Sequence, residues 1–133
     1  MPASTRLTRD CLTEEEEQKA IIEWAELHID EYPELRMLRG GLEGVNLPIG
    51  LAVKAKKLGM KAGWPDLHLP CARTHGGQHF NALFIELKAL DGRPSHSQII
   101  MLDLLANEGN FTMVSYGAKA AIKTIIDYLR IEE

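Results

Sequence analysis

Apolar residues recur along this chain with two spacings, one typical of helices and one typical of strands. The first helical pattern predicts a helix from about Glu14 to His28, because Thr13 can cap it and Glu16 can complete a capping box. Its apolar stripe consists of Ile21, Ile22, Ala25 and Ile29. An amphipathic helix with an acidic first turn is therefore the first element of the expected fold.

The segment after this helix carries weaker patterns. Leu35 to Leu38 is predicted to be a short strand closed by Gly40-Gly41, followed by a loop over 41–47. Pro48 suits the first turn of a second helix, which Gly59 would end. The residues that line one side of this helix, leaving its lysines outward, are Leu51, Ala55 and Leu58.

Strand and helix patterns alternate through the second half of the chain. Asp66 to Leu69 and Phe80 to Lys88 are predicted strands, joined as a hairpin through a turn at 73–78. This alternation predicts an α/β fold, with helices around a mixed sheet, and residues 1–133 are expected to form a single domain. The remaining predicted elements are a helix from Ser95 to about Gly109, a strand over Phe111–Tyr116 and a last helix opened by Gly117.

Three charged residues fall where the pattern predicts buried strands. Glu86 and Lys88 are two apart in one strand, so they project from one face while the apolar residues beside them project from the other. Asp66 begins the preceding strand. A buried, unpaired charge costs several kcal/mol, and a divalent cation held by Asp66 and Glu86 would offset that cost. Glu86 and Lys88 could instead form an ion pair on an exposed strand, but the coincidence of all three residues favours a metal site.

The composition is that of an ordinary globular protein, with 45% hydrophobic and 26% charged residues. Two cysteines, Cys11 and Cys71, are too few for a disulfide scaffold and indicate a reducing compartment. Because no run is long enough to span a membrane and no signal peptide is recognised, a cytoplasmic location is expected. The net charge of -4 argues against a protein that coats nucleic acid, but metal-binding carboxylates of a nuclease would contribute to that sum.

Four sequence features together resemble the VRR-NUC (virus-type replication-repair nuclease) domain, a branch of the PD-(D/E)XK restriction-endonuclease-like superfamily. They are Thr13-Glu14 with Gln18, the run Gly63-Trp64-Pro65-Asp66-Leu67, the tripeptide Glu86-Leu87-Lys88, and Ser95-x-x-Gln98 at a helix start. Their order and spacing fit the family from about Thr13 to Leu129. Where many relatives carry Asn-Gly after the first short strand, this chain has Arg39-Gly40-Gly41. The resemblance implies a restriction-endonuclease-like three-layer sandwich, with a mixed central sheet flanked by helices.

The resemblance also implies a metal site and a reaction. Asp66, Glu86 and the backbone carbonyl of Leu87 would bind Mg²⁺ or Mn²⁺, hard cations that prefer oxygen ligands. The metal would polarise a phosphate oxygen and lower the pKa of a bound water, and Lys88 would orient that water and stabilise the developing charge. Hydrolysis would leave a 5′-phosphate and a 3′-hydroxyl.

Two further polar residues are expected at the site. A glutamate of the first helix supports the site in this family, and Glu14 is favoured because it shares a helix face with Gln18, with Glu17 as the nearest alternative. Gln98 would contact the substrate or Lys88. It also stands at the third helical position after Ser95, so a purely structural role in a capping box is an equal alternative.

Basic residues near these motifs are candidates for contact with DNA, namely Lys54, Lys56, Lys57, Lys61 and Arg73. The lysines could also be a solvated helix face. Short stand-alone members of the family are typically phage- or prophage-encoded and resemble junction resolvases, which implies DNA branched as a four-way junction or flap. A homodimer with two-fold symmetry is the expected assembly. The second helix or its flanking loop is a candidate dimer surface, with Met37, Leu47 and Ile49 as apolar contacts.

Three other interpretations compete with a nuclease. One is a DNA-binding or assembly module of the same fold that has lost activity, against which the complete set of Asp66, Glu86 and Lys88 argues. Another is a non-nuclease α/β enzyme, for which Gly40-Gly41 lacks the spacing of a phosphate-binding loop. The last is a structural zinc site, although the spacing of its candidate ligands matches no standard finger. Those ligands are His68, Cys71, His75 and His79.

Overall fold

A computed structural model describes residues 12–42 and 45–131 of the chain. The α-helices of these ranges are α1 (Glu14–Leu27), α2 (Ile49–Lys57), α3 (His96–Asn107) and α4 (Ala118–Leu129), and a 3₁₀ helix covers Pro33–Met37. The strands are β1 (Arg39–Gly40), β2 (Leu67–Leu69), β3 (Arg73–His75), β4 (Gln78–Phe80), β5 (Leu83–Lys88) and β6 (Phe111–Tyr116). No helix within the described ranges is long and apolar enough to cross a membrane.

Four strands form one mixed sheet in the order β1-β2-β5-β6. β2 is antiparallel to both β1 and β5, whereas β5 and β6 are parallel. The connection from β5 to β6 contains α3, because parallel strands cannot be joined by a tight turn. The register places Leu67 opposite Ile85 and Lys88 opposite Tyr116, so the carboxyl ends of the two parallel strands lie side by side. The mixed sheet predicted from the sequence is confirmed.

The two faces of the sheet are covered by different helices. The apolar face of β5 packs against α1 and α4, and α3 lies on the opposite face, where Gln98 reaches Glu86. The protein is therefore a three-layer α/β sandwich, as expected. Each fully buried aliphatic side chain of the core contributes about 1.5–3 kcal/mol. The core cluster contains Ile21, Ala25, Leu35, Leu67, Leu69, Cys71, Leu83, Ile85, Leu87, Ala121, Ile125, Tyr128 and Leu129.

Two segments differ from the sequence prediction. Pro33–Met37 forms a 3₁₀ helix rather than a strand over Leu35–Leu38, and it buries one leucine, Leu35, against the core. Helices and strands are distinguished by the spacing between buried residues, and a single buried residue defines no spacing. The apolar residues around Leu35 therefore did not distinguish a helical turn from a strand. The predicted hairpin of β2 and β5 is present, but its connection contains a separate two-stranded sheet of β3 and β4.

The helix α2 lies close to its predicted position but packs differently. None of its residues is buried, and the side that was expected to face inward is exposed, with 50% of Leu51 and 78% of Leu58 accessible. A helix of nine residues is marginally stable in water without tertiary packing. The apolar side of α2 is therefore a surface that the described part of this chain leaves uncovered.

Candidate active site

The charged residues indicated by the strand pattern come together at the carboxyl end of β5. Asp66 immediately precedes β2, and Glu86 and Lys88 lie in β5, the antiparallel neighbour of β2. All three are buried, with 6%, 1% and 8% of their surfaces exposed. Charges at this depth are costly unless they are compensated, so their contacts determine how the fold tolerates them.

Asp66 is fixed by backbone hydrogen bonds. Its Oδ2 accepts a bond of 2.7 Å from the amide of Leu87. Its peptide carbonyl accepts a bond of 3.0 Å from the amide of Gly41. The carboxylate is therefore held beside the peptide that joins Glu86 to Leu87, and a hydrogen bond to a charged acceptor is among the stronger ones.

Glu86 has one satisfied and one unsatisfied carboxylate oxygen. Oε2 accepts a hydrogen bond of 3.0 Å from Nε2 of Gln98 and lies 3.8 Å from Nζ of Lys88. Oε1 is buried and has no hydrogen-bond partner in the described part of the chain. An unsatisfied buried acceptor costs about 1–3 kcal/mol. A cation bound at this oxygen would remove that cost.

The pKa of Glu86 is raised to about 9, far above the ordinary value for a glutamate. Burial is the largest cause, followed by the hydrogen bond and the negative charge of Asp66, which Lys88 only partly offsets. Folding therefore favours the protonated form of Glu86 relative to the unfolded chain. Because a carboxylate must lose its proton to bind a metal, cation binding at this pair would release a proton.

A glutamate of α1 reaches Lys88. Oε2 of Glu14 lies 3.8 Å from Nζ of Lys88 and accepts a hydrogen bond of 3.4 Å from the amide of Ala89. Glu17 has a different partner, because its carboxylate accepts a hydrogen bond from the amide of Ala118 in the first turn of α4. The N-cap of α4 is a glycine and cannot provide that acceptor from a side chain. The structure therefore brings Glu14, rather than Glu17, to the group of buried charges.

Gln98 combines the two roles that the sequence left open. Its Oε1 accepts a hydrogen bond of 2.7 Å from the amide of Ser95, and its own amide donates to Oγ of Ser95 at 3.2 Å, which completes the capping box of α3. Its Nε2 is left to donate to Glu86. The helix cap thus fixes the orientation of a side chain that holds a site carboxylate.

Gln18 belongs to the family-like motif of α1, but its position was not predictable from the sequence alone. Its Nε2 donates a hydrogen bond of 3.0 Å to the carbonyl of Gly41, and the amide of Gly41 donates to the carbonyl of Asp66. A Cβ at Gly40 would collide with Nε2 of Gln18. Gly40 therefore leaves room for the Gln18 side chain to reach the backbone next to Asp66.

Aromatic rings cover the same sheet face next to Glu86. His68 stacks on Phe84 with 4.3 Å between ring centroids, and Trp64 meets Phe84 edge-on at 5.8 Å. Burial, and next the charge of Arg39, lower the pKa of His68, so its ring stays neutral and apolar surface is preserved. These rings help to make the surroundings of Glu86 poorly solvated.

The structure contradicts the expectation that Arg73 faces DNA. Arg73 is 5% exposed and forms an ion pair of 2.7 Å with Glu34. It also donates hydrogen bonds to the carbonyls of Leu129 and Ala72. The planar guanidinium satisfies several backbone and side-chain acceptors at once, which explains why a charged residue is accommodated in the interior.

The candidate zinc ligands point to different parts of the molecule. His68 lies under Phe84, whereas Cys71 is buried in the core near the hydroxyl of Tyr128, which donates to its carbonyl at 2.5 Å. His79 contacts Oγ1 of Thr74 at 3.2 Å on the β3–β4 sheet. Within 12–42 and 45–131, no three or more His, Cys, Asp or Glu side chains are grouped as a metal site. The zinc interpretation is therefore not supported.

The four lysines singled out in the sequence lie on α2 and the turn that follows it. Lys54, Lys56, Lys57 and Lys61 are all exposed. None of them forms an ion pair with a described residue. They precede the turn at Gly63, where φ is +83° and a Cβ would collide with the carbonyl of Ser97. The turn therefore passes tightly against the start of α3 before the chain reaches Asp66.

A mixed sheet with helices on both faces, carrying two carboxylates and a lysine at adjacent strand ends, is a restriction-endonuclease-like arrangement. No protein-family model and no curated protein matches the sequence. Among solved structures, the chain is similar to a "VRR_NUC domain protein", with a TM-score of 0.72, 27% sequence identity and 92% of each chain covered. This match confirms the resemblance to VRR-NUC domains that the four motifs indicated, and such a domain implies a nuclease family.

Proposed function

We propose that the protein is a metal-dependent endonuclease that hydrolyses phosphodiester bonds in DNA. The observation that carries the proposal is the buried group of Asp66, Glu86 and Lys88, in which Oε2 of Glu86 lies 3.8 Å from Nζ of Lys88 and Oε1 has no hydrogen-bond partner among the described residues. The similarity to a VRR_NUC domain protein supports the same conclusion. Buried groups with strongly perturbed pKa values are typical of functional sites.

The proposed metal ligands are Asp66, Glu86 and the backbone carbonyl of Leu87, for Mg²⁺ or Mn²⁺. The unsatisfied oxygen of Glu86 and the neighbouring carboxylate of Asp66 are hard donors that fit such cations. When bound, the metal supplies a Lewis acid for the phosphate and for water. Two carboxylates and one carbonyl do not fill the coordination shell of such a cation, so positions would remain for water and substrate oxygens.

Lys88 supplies the positive charge of the proposed mechanism. Nζ is attracted by Glu14 and Glu86 at 3.8 Å each, distances that hold it by charge without fixing a hydrogen bond. It can therefore donate to an attacking water or to a phosphate oxygen as negative charge builds up there. Gln98 restrains Glu86 during this step, and Glu14 keeps the ammonium of Lys88 directed at the site.

The assay that tests this function uses labelled four-way junctions, flaps, nicked duplex and linear duplex, each with Mg²⁺, Mn²⁺ or EDTA. We expect cleavage with metal and none with EDTA, leaving products that carry a 5′-phosphate. Preference for the four-way junction would support a resolvase-like role. If the wild-type protein cuts none of these substrates with metal present, the enzyme proposal is wrong. Tight binding without cleavage would then favour the alternative, an inactive DNA-binding or assembly module.

We also propose that two copies of the chain associate through α2 to form a homodimer. The helix buries none of its residues, and Leu51 and Leu58, which lie on one side of it, are both exposed. A two-fold axis pairs a surface with itself and would present two active sites to a symmetric branched DNA. Other exposed apolar residues of α2 and of the segment before it are Met37, Leu42, Ile49 and Val53.

Replacing Leu58 by Asp is expected to convert the dimer into a monomer, because burying a carboxylate at the centre of an apolar contact is unfavourable. The measurement is the molar mass by size-exclusion chromatography with light scattering. Leu104→Asp on α3 is the matched control, since Leu104 is 55% exposed outside this surface. A wild-type protein that is monomeric at high concentration, or an unchanged mass for Leu58→Asp, would contradict the proposal.

Lys54, Lys56, Lys57 and Lys61 are proposed to contact the DNA backbone. Replacing Lys54 and Lys57 together by Gln is expected to weaken binding to all DNA shapes similarly. The slope of log K against log salt should fall by about 0.9 for each lost duplex phosphate contact. Fluorescence anisotropy at several salt concentrations provides the measurement, with the exposed Lys123→Gln on α4 as the control. An unchanged slope would assign the lysines to a solvated helix face.

A further inference from the structure

A polar groove runs along the end of the sheet beside Lys88. Its volume is about 690 Å³, within the range of small-ligand sites. One wall is the turn after β5 and the other is formed by Ile99 of α3 and Tyr116 of β6. The residues that line the groove are Asp91, Gly92, Arg93, Pro94, Ile99 and Tyr116.

This groove lies next to the proposed active site. Tyr116 is the register partner of Lys88 in the parallel pair, so their side chains leave the same face of the sheet. Ile99 follows Gln98, whose Nε2 holds Glu86. A Cβ at Gly92 would lie 3.5 Å from Cβ of Lys88, which places the turn directly against the lysine. A ligand in the groove would therefore lie next to any phosphate at the buried charges.

The lining residues carry the chemistry that binds a nucleotide strand. Arg93 is exposed and has no ion-pair partner among the described residues, so its guanidinium is available for a phosphate. Tyr116 ends the edge strand β6 and is 49% exposed, so it offers a ring surface for stacking. Pro94 and Ile99 add an apolar floor. A positive charge beside an aromatic face is the combination that single strands require.

We propose that this groove binds the nucleotides that flank the bond to be cut, with Arg93 on a backbone phosphate and Tyr116 stacked on a base or sugar. The inference rests on the proposed nuclease function and extends it to the path of the DNA strand. In this proposal the DNA strand runs from the buried charges of the active site along the carboxyl ends of β5 and β6. This surface could not be predicted from the sequence, because Arg93 and Tyr116 are 23 positions apart and the parallel register of β5 and β6 brings their segments together.

Asp91 is the one acidic residue among those that line the groove, and its negative charge would repel a phosphate bound there. It adopts a φ of +77°, which asparagine tolerates about as well as aspartate. Asp91→Asn therefore removes the negative charge while leaving the turn intact. The groove proposal consequently predicts a gain of affinity for this variant and a loss for Arg93→Gln.

The experiment measures KM and kcat on the best-cleaved DNA, and binding of a short labelled duplex and single strand in EDTA. Arg93→Gln should raise KM about 10- to 100-fold with little change in kcat, as expected for loss of a hydrogen bond to a charged group. Tyr116→Ala should weaken binding about 5- to 100-fold, the range for loss of one stacked base, whereas Tyr116→Phe should resemble the wild type. Asp91→Asn should bind several-fold more tightly than the wild type. Lys123→Gln is the matched surface control.

The outcomes separate the groove from the nuclease function. If the wild type cleaves DNA but KM and binding are unchanged in Arg93→Gln and Tyr116→Ala, the groove proposal is wrong and the function stands. If the wild type cleaves nothing but these variants lose binding in EDTA, the groove is a DNA subsite and the enzyme proposal fails. Equal losses for Tyr116→Phe and Tyr116→Ala would exclude stacking and overturn the assignment of Tyr116.

Discussion

Replacing Lys88 by methionine is expected to reduce DNA cleavage by about 10²–10³-fold, the effect of removing one preorganised electrostatic donor from an active site. Lys88 is 8% exposed, so water cannot readily take the place of its ammonium group. Methionine keeps most of the stem volume but provides no charge. The measurement is the single-turnover cleavage rate at saturating protein, which removes differences in DNA binding.

A paired variant, Asp66→Asn, tests the metal side of the same site. The asparagine carbonyl can still accept the hydrogen bond from the amide of Leu87, so the local fold is expected to persist while the anionic ligand is lost. Cleavage should fall as far as for Lys88→Met, and only Asp66→Asn should lose affinity for Mn²⁺ in a titration. Thermal unfolding verifies that both variants fold. Cleavage within three-fold of wild type in either variant would disprove the corresponding role.

The second large expected effect is a gain of stability in Glu86→Gln. Burial and the neighbouring Asp66 raise the pKa of Glu86 to about 9 in the folded protein, whereas in the unfolded chain it ionises near its ordinary value. At a pH below the ordinary pKa of glutamate, Glu86 binds its proton in both the folded and the unfolded protein. As the pH rises above that value, Glu86 becomes negatively charged only in the unfolded protein. Folding is thus penalised progressively as the pH rises toward 9, by about 3 kcal/mol at pH 7.

Glutamine removes this penalty because it has no proton to lose. Its carbonyl can accept the hydrogen bond from Gln98, and its amide can donate to Asp66, so the packing is retained. We expect the free energy of unfolding in EDTA to rise by about 2–3 kcal/mol at pH 7 and to be nearly unchanged at pH 4. Urea denaturation at both pH values is the measurement, with the exposed Glu15→Gln as the control.

The same substitution should abolish cleavage, since the neutral side chain no longer provides an anionic metal ligand. A variant that is more stable and inactive would show that the protein gives up stability to keep this carboxylate in the interior. The prediction fails if the stability gained by Glu86→Gln over the wild type is no larger at pH 7 than at pH 4. That result would mean that Glu86 is ionised in the folded protein and that its charge is already compensated.

Much of the fold followed from local patterns. The capping boxes of α1 and α3 and the strand that carries Glu86 and Lys88 all lie close to their predicted positions. These signals are short-range, because a cap joins residues three apart and a strand alternates every second residue. The 3₁₀ helix at Pro33–Met37 and the small sheet of β3 and β4 escaped prediction, since their few buried positions establish no period.

The residues that surround the site were harder to assign from the sequence. Arg73 looked like one more basic residue near a loop, and its burial against Glu34 depends on a segment 39 positions away. Glu14 and Glu17 are three positions apart on the same helix, and only the packing of α1 distinguishes the neighbour of Lys88 from the cap of α4. Likewise, the link from Gln18 through Gly41 to Asp66 joins three separate elements.

From the sequence alone, the residues proposed to carry the chemistry could be selected, because charges inside an apolar strand pattern are improbable without a compensating role and because four motifs stand in a characteristic order. Only the tertiary structure decided how those residues are used. Burial and the nearness of Asp66 set the proton on Glu86, the packing of α1 selects Glu14, and the parallel register places Tyr116 next to Lys88. The physical reason is that local sequence patterns determine the secondary structure and the direction of its side chains. Desolvation, coupling between charges and grooves arise only where segments distant in the chain pack together.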